Sequence, residues 1–409
     1  MSDGQLPDDV RSETADVPYR EPDKDPTAAL SRRGFIAAGG AGVLSAALAP
    51  DAAARPTSRS HLGFDRRQDR GPLVIAHRGS FAAGGSVLTS PGTFDPTTTG
   101  GPGQTLHGDH VYCQFEVPVR PRRLPLVMWH GGGQMGKTWE STTDGREGYQ
   151  SIFLRRGFAV YIFDQPRRGR AGNTTQGTTI TPRPGDQDLF VAWRLGIWPN
   201  FYTDSQFPQA SLGINSPALN QFFRQMTVDT GPGDPTGTPG VIVAGAVALM
   251  NEVGPSVLLT HSASGILGWL TALGTPNVRA IYAYEPTDYI FPSNNVPSTI
   301  GTGAAAITPH PVSVSDFLAL TKIPIRIQYS DHIPATSSPY VRVQTWINRV
   351  AMGELMVNAI NQNGGDASIL HLPDLGIFGN THFSFADVNN LQIADILARW
   401  LAEHRLDRY

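Results

Sequence analysis

Val257-Leu258-Leu259-Thr260-His261-Ser262-Ala263-Ser264-Gly265 runs from an unbroken apolar stretch into a turn of small residues, and an amphipathic helical pattern follows from Ile266. A short apolar run with no alternation reads as a strand buried on both faces, the type found inside a parallel sheet. A serine on the sharp turn between such a strand and a helix is held at the strand's carboxyl end. There it can serve as an exposed nucleophile, and small flanking residues let strand and helix approach closely. The common form of this elbow is Gly-x-Ser-x-Gly, whereas Thr260 and Ser264 occupy the two glycine positions here. Ser262 is the candidate nucleophile, and Ser264 is the alternative in the same turn.

Working outward, the chain from about residue 70 alternates short apolar strands with helical stretches, the pattern of a mostly parallel sheet covered by helices on both faces. Strands are expected at Tyr112–Val117, Leu126–Trp129, Ala159–Phe163, Ser256–Thr260, Val278–Tyr284, Ile325–Tyr329 and Ser368–Leu372. Helices are expected near Glu147–Arg156, Val241–Val253, Ile266–Leu273, Tyr340–Asn361 and Asp387–Glu403. Two stretches rich in Gly, Pro, Thr and Asn, about 171–238 and 287–321, break the alternation and read as insertions on the sheet. The first carries Phe190, Trp193, Trp198, Phe201, Tyr202, Phe207, Phe222 and Phe223. Aromatic residues at this density argue against disorder and point to a lid over the site, with a satellite core as the plainer alternative.

The second chemical signal is the strand Leu126–Trp129 ending in His130-Gly131-Gly132-Gly133. Backbone without side chains can turn N–H groups toward a developing oxyanion, so Gly132 and Ala263 are the candidate donors. The third is Gly379-Asn380-Thr381-His382-Phe383, between the last strand and the last helix, where a loop histidine can fold back over the sheet edge as general base. Two acids stand at strand ends: Glu285, just before Pro286, and Asp331, after the next strand. Catalytic groups of open α/β sheets collect at such ends, and the residues alone leave both acids open.

Composition closes off other classes. The 409 residues carry 32 Lys and Arg against 35 Asp and Glu, a net charge of −3, and no basic block tracks a phosphate backbone, so no nucleic-acid partner is expected. Cys113 is the single cysteine, so there is no intrachain disulfide and no zinc cluster, and the chemistry above needs neither metal nor organic cofactor. Residues 1–54 read as a targeting segment: polar to about residue 30, then Ser31-Arg32-Arg33-Gly34-Phe35-Ile36, a weakly apolar run to Ala49, and Ala52-Ala53-Ala54 for cleavage. That is the form of a twin-arginine export signal, which implies a periplasmic or extracellular protein with no stable membrane insertion after processing. The remaining 55–409 form the catalytic domain.

The blocks Trp129-His130-Gly131-Gly132-Gly133, Thr138-Trp139-Glu140, Asp144-Gly145-Arg146, Phe163-Asp164-Gln165 with Arg168-Gly169-Arg170, Thr260-His261-Ser262, Glu285-Pro286 and Gly379–Phe383 together resemble a small bacterial esterase branch of the α/β-hydrolases, the zearalenone-lactonase-like one. The resemblance spans about residues 75–405 and departs most in the aromatic insertion. It implies an α/β-hydrolase fold, a Ser262–Glu285–His382 triad with the acid after the sixth strand, a homodimer and carboxylic-ester chemistry, but not the choice of substrate; a small apolar ester or lactone is the expected partner. Different classes stay open at this point: a non-catalytic ligand-binding protein on the same scaffold, a carbon–carbon bond hydrolase or a peptidase.

Overall fold

The computed structural model describes residues 71–409, so the export signal expected in residues 1–54 lies outside the described residues. Eight strands build the central sheet: β1 Ile75–Ala83, β2 Val111–Pro118, β3 Leu126–Trp129, β4 Val160–Asp164, β5 Ser256–His261, β6 Val278–Tyr284, β7 Pro324–Tyr329 and β8 Asp366–His371. Their spatial order is β1-β2-β4-β3-β5-β6-β7-β8. Only β2 runs against its neighbours, pairing antiparallel with both β1 and β4, and every other pair is parallel.

Because side chains alternate across a strand, each central strand feeds two cores. Val127, Trp129, Leu258, Ile281, Ala283 and Ile327 enter one buried cluster, while Leu126, Met128, Val257, Leu259, Tyr282 and Tyr284 enter the other. This is why the strands read as continuous apolar runs. Helices α1 Tyr149–Arg155 and α8 Asn390–Glu403 cover the second face. The first is covered by α4 Val241–Val253, α5 Ser264–Gly274, α6 Val314–Leu320 and α7 Val341–Gln362. Among the described residues no helix is long and apolar enough to cross a membrane.

The insertions are structured. Residues 171–238 hold α2 Asp186–Ala192 and α3 Pro217–Arg224, and Phe190, Trp193, Phe207 and Phe222 are buried in the second core beside Phe383. These four are therefore side chains of the sheet's own second core rather than of a separate satellite core. β1 escaped the sequence pattern because most of its side chains are exposed, leaving little apolar signal. The last helix starts at Asn390 rather than Asp387, because the Asp387 carboxylate accepts from the Thr381 N–H at 2.7 Å and the Asn380 side chain at 3.0 Å instead of capping the helix.

Close approach of α5 to the sheet depends on glycines. A methyl on Gly265 would lie 2.4 Å from Pro286 Cβ and 2.9 Å from its Cα, and one on Gly268 would lie 2.6 Å from Thr260 Cγ2. Gly265→Ala is accordingly expected to destabilise the fold by about 1–3 kcal/mol, as overpacking of a tight core does. Gly177→Ala, where a methyl meets nothing within 4 Å, is the control. Chemical denaturation of both variants checks this; an equal effect would mean that the helix is free to shift.

Candidate active site

Ser262 sits between β5 and α5 with φ at +56°, a left-handed conformation that non-glycine residues adopt at a cost of about 1–3 kcal/mol. The turn is held by the Ser262 N–H, which donates to the Tyr284 carbonyl at 2.9 Å, and by the Gly265 N–H, which donates to the Ser262 carbonyl at 2.9 Å. The space under it is closed: a methyl on Gly131 would lie 2.7 Å from His261 Nδ1 and 2.9 Å from Ser262 Cβ. Ser264 is used differently. Its buried hydroxyl accepts from the His261 N–H at 2.9 Å and faces the His261 carbonyl at 2.9 Å, locking the turn from inside.

Glu285 follows β6 and has φ at +49°. Its carboxylate is buried and accepts from three parts of the chain: the Ser330 N–H at 2.7 Å, an Arg194 guanidinium nitrogen on Oε1, and His382 Nδ1 on Oε2. Burial opposes ionisation, but Arg194 and His382 outweigh it and hold the carboxyl well below the usual carboxylate range. An anion at Oε2 fixes the imidazole tautomer with its proton on Nδ1. His382 Nε2 is then the basic nitrogen, and it is buried with no hydrogen-bond partner. No hydrogen bond joins it to the Ser262 hydroxyl in this structure; such contacts commonly tighten only when substrate is bound. Burial pulls His382 down to about 4, further than Glu285 lifts it, so the ring is neutral at pH 7.

The candidate oxyanion donors come together. A methyl on Gly132 would meet Ala263 Cβ at 3.5 Å, and among the described residues neither the Gly132 nor the Ala263 N–H donates to another group. The glycine loop is braced from below. Asp164 accepts from the Gly136 N–H at 2.6 Å and from Arg170 Nε at 2.8 Å, and Arg168 donates to the Gly131 carbonyl at 3.2 Å. His130 is buried; its Nδ1 lies 2.9 Å from the Gly131 carbonyl, and its Nε2 accepts from the Gln165 N–H at 3.3 Å.

Asp331 is close by but faces elsewhere. Its carboxylate accepts from the His332 N–H at 2.6 Å and the Gly379 N–H at 2.7 Å, so it fastens the loop that carries His382 rather than the imidazole. Gly379, with φ at +77°, admits no side chain, since a methyl would lie 1.9 Å from the Asp204 carbonyl oxygen. Asp204, Asp331 and His332 bring one ligand atom each within 4.8 Å of one another, the closest approach to a metal-ligating group among the described residues. Both Asp331 oxygens are already taken by backbone donors.

Sequence reasoning missed Arg194, fully buried with its Nε donating to the Asp331 carbonyl at 2.9 Å and its guanidinium carbon 4.7 Å from the Trp346 ring centre. It also missed Trp346, whose ring centre lies 4.6 Å from that of His382. The available signal was a lone charge in the apolar run Leu189–Trp198.

The comparisons agree with this architecture. No family model matches the chain. A "Probable secreted lipase" from a fungal species is 28% identical over 320 residues, covering 71% of this chain and 85% of the lipase. The solved structure of a novel bacterial esterase is 30% identical, with a TM-score of 0.65, and the match covers 81% of this chain and 97% of the esterase. With this sheet order, a strand–turn–helix serine beside a buried Glu–His pair, and that likeness over nearly the whole esterase, the chain belongs to the α/β-hydrolase superfamily, among its esterases.

Proposed function

We propose that the protein is an exported serine hydrolase that cleaves a small apolar carboxylic ester or lactone through an acyl-enzyme. The observation that carries the reading is the buried Glu285–His382 hydrogen bond, which leaves a neutral imidazole with an unpartnered Nε2 at the carboxyl edge of the sheet where Ser262 stands. In the proposed cycle His382 Nε2 takes the Ser262 proton as Oγ attacks the carbonyl carbon. The Gly132 and Ala263 N–H groups hold the oxyanion. Collapse expels the alcohol, which takes the proton from His382, and water repeats the attack to release the acid and free the serine. Glu285 stays ionised throughout and stabilises the imidazolium. The set asks for no cofactor, the aromatic side chains of Trp346 and Phe383 near His382 favour an apolar substrate, and the insertion is proposed to act as a lid over it. The named relatives, an esterase and a secreted lipase, support ester chemistry and export. The homodimer implied by the resemblance stays with this proposal.

Ser262→Ala is expected to lower kcat on an aryl ester by on the order of a million-fold and to abolish fluorophosphonate labelling. Glu285→Gln is expected to lower it by roughly a thousand- to ten-thousand-fold, as neutralising a triad acid does. Ser264→Ala and Asp331→Asn are expected to be far milder. The reverse order, measured on folded variants, would move the roles to Ser264 and Asp331.

The pH profile follows from the direction in which His382 is shifted. Its folded value lies below the ordinary 6.5, so the basic form persists to lower pH than a free imidazole allows. For a neutral ester, kcat/KM is expected to stay level through neutrality and to fall only as the pH approaches about 4. A limb near the ordinary histidine value would mean that burial does not hold the imidazole down, and a profile with no limb that His382→Gln removes would take His382 out of the role.

For export, Arg32→Lys together with Arg33→Lys keeps the charge but is expected to retain the protein inside the cell, because a receptor reads the pair. Unchanged secretion of the double variant would exclude the twin-arginine route.

A further inference from the structure

Three consecutive residues at the end of α2, in the first insertion, each hold a different part of the site. The Ala192 carbonyl accepts from Trp346 Nε1 at 2.6 Å, the Trp193 carbonyl accepts from the His382 N–H at 3.0 Å, and the Arg194 guanidinium spans the Glu285 carboxylate and the Asp331 carbonyl. Arg194 has a left-handed backbone with φ at +54° and no exposed surface. A buried guanidinium is costly unless it is paired, and here its pair is the acid of the proposed triad.

We propose that Arg194 is a positioning residue for the Glu285–His382 pair, through which the aromatic insertion sets both the charge and the aim of the base. The inference rests on the triad reading given above. The planar fork of an arginine spans two acceptors, a carboxylate oxygen and a backbone carbonyl, in one rigid plane, which a lysine cannot do. Glu285 Oε1 is thereby occupied, so only Oε2 is left for the imidazole, and the carboxylate has one orientation. The positive charge also acts on the imidazole itself. The charged and titratable groups facing His382 are Glu285, which favours its protonation, and Arg194 and Arg349, which oppose it, with the His261 ring tilted against it at a ring-centre distance of 4.4 Å.

The test compares Arg194→Gln and Arg194→Lys with the wild-type protein, using p-nitrophenyl acetate turnover across pH, fluorophosphonate titration of Ser262, and NMR titration of the His382 ring. Removing the cation stabilises the imidazolium. In Arg194→Gln both the acid limb of kcat/KM and the His382 titration are therefore expected to move up by about one pH unit. Loss of aim is expected to lower kcat by roughly a hundredfold with little change in KM. Arg194→Lys, which keeps the charge without the fork, is expected to leave the limb in place and recover part of kcat. In a Glu285→Gln background, Arg194→Gln should cost little more, because both act through one carboxylate.

A limb and titration unmoved in Arg194→Gln, or Arg194→Lys as damaged as Arg194→Gln, would overturn the proposal. Should Arg194→Gln fail to fold, a limb that moves in Arg194→Lys overturns it equally. Wild-type protein that neither turns over the ester nor is labelled at Ser262 would instead refute the triad reading. The NMR titration still judges Arg194 in that case, because it needs no turnover.

Discussion

A buried carboxylate has to be satisfied, and the arrangement around Glu285 follows from that requirement. Taking a charge out of water costs several kcal/mol even after relaxation, so the anion persists only with donors of good geometry around it. The three that Glu285 finds come from the insertion, the end of β7 and the loop after β8. None of these segments is near Glu285 in sequence. β6 must lie beside β7, α2 must end over the sheet, and the last loop must fold back across the strand ends for the charge to be tolerated. The convergence that keeps the carboxylate ionised also orients the imidazole, so stability of the fold and the setting of His382 are one arrangement.

Strain at the ends of β5 and β6 is a second shared constraint. Ser262 and Glu285 both have positive φ, each at a cost of about 1–3 kcal/mol. Each left-handed residue donates its N–H to the neighbouring strand, Ser262 to Tyr284 and Glu285 to Gln328, so the ladder extends one step into the irregular ends. Gly131, Gly265 and Gly268 remove the side chains that would otherwise collide beneath those ends. The departure from the usual glycines at Thr260 and Ser264 is absorbed the same way. Gly265 takes the close contact one position later, and the Ser264 hydroxyl turns inward to bond the backbone of the turn.

Much of this was legible in the sequence, and what escaped did so for identifiable reasons. The central strands declared themselves because burial on both faces forces a continuous apolar run, and Val257–Leu259 was the clearest. β1, an edge strand with most side chains in water, offered almost no pattern. Glu285 and Asp331 were both visible as strand-end acids, but sequence spacing cannot say which carboxylate points at an imidazole and which spends itself on backbone N–H groups. The motif blocks Asp164, Arg168 and Arg170 marked positions without showing their use, which is to brace the glycine loop. Arg194 was hidden because a charge inside an aromatic run is read as a surface interruption until a partner far along the chain is known.

Three backbone hydrogen bonds tie the loop that carries His382 to the insertion. The Gln206 N–H donates to the Gly379 carbonyl at 2.7 Å, the Val388 N–H to the Gln206 carbonyl at 2.8 Å, and the His382 N–H to the Trp193 carbonyl at 3.0 Å. Segments joined in this way open together, since neither keeps its hydrogen bonds when the other leaves. Amide protons across residues 193–206 and 379–388 would then exchange as one cooperative group. In evolutionary terms the insertion is less free to change length than a surface loop of its composition, because a shift in its register would carry His382 away from Glu285.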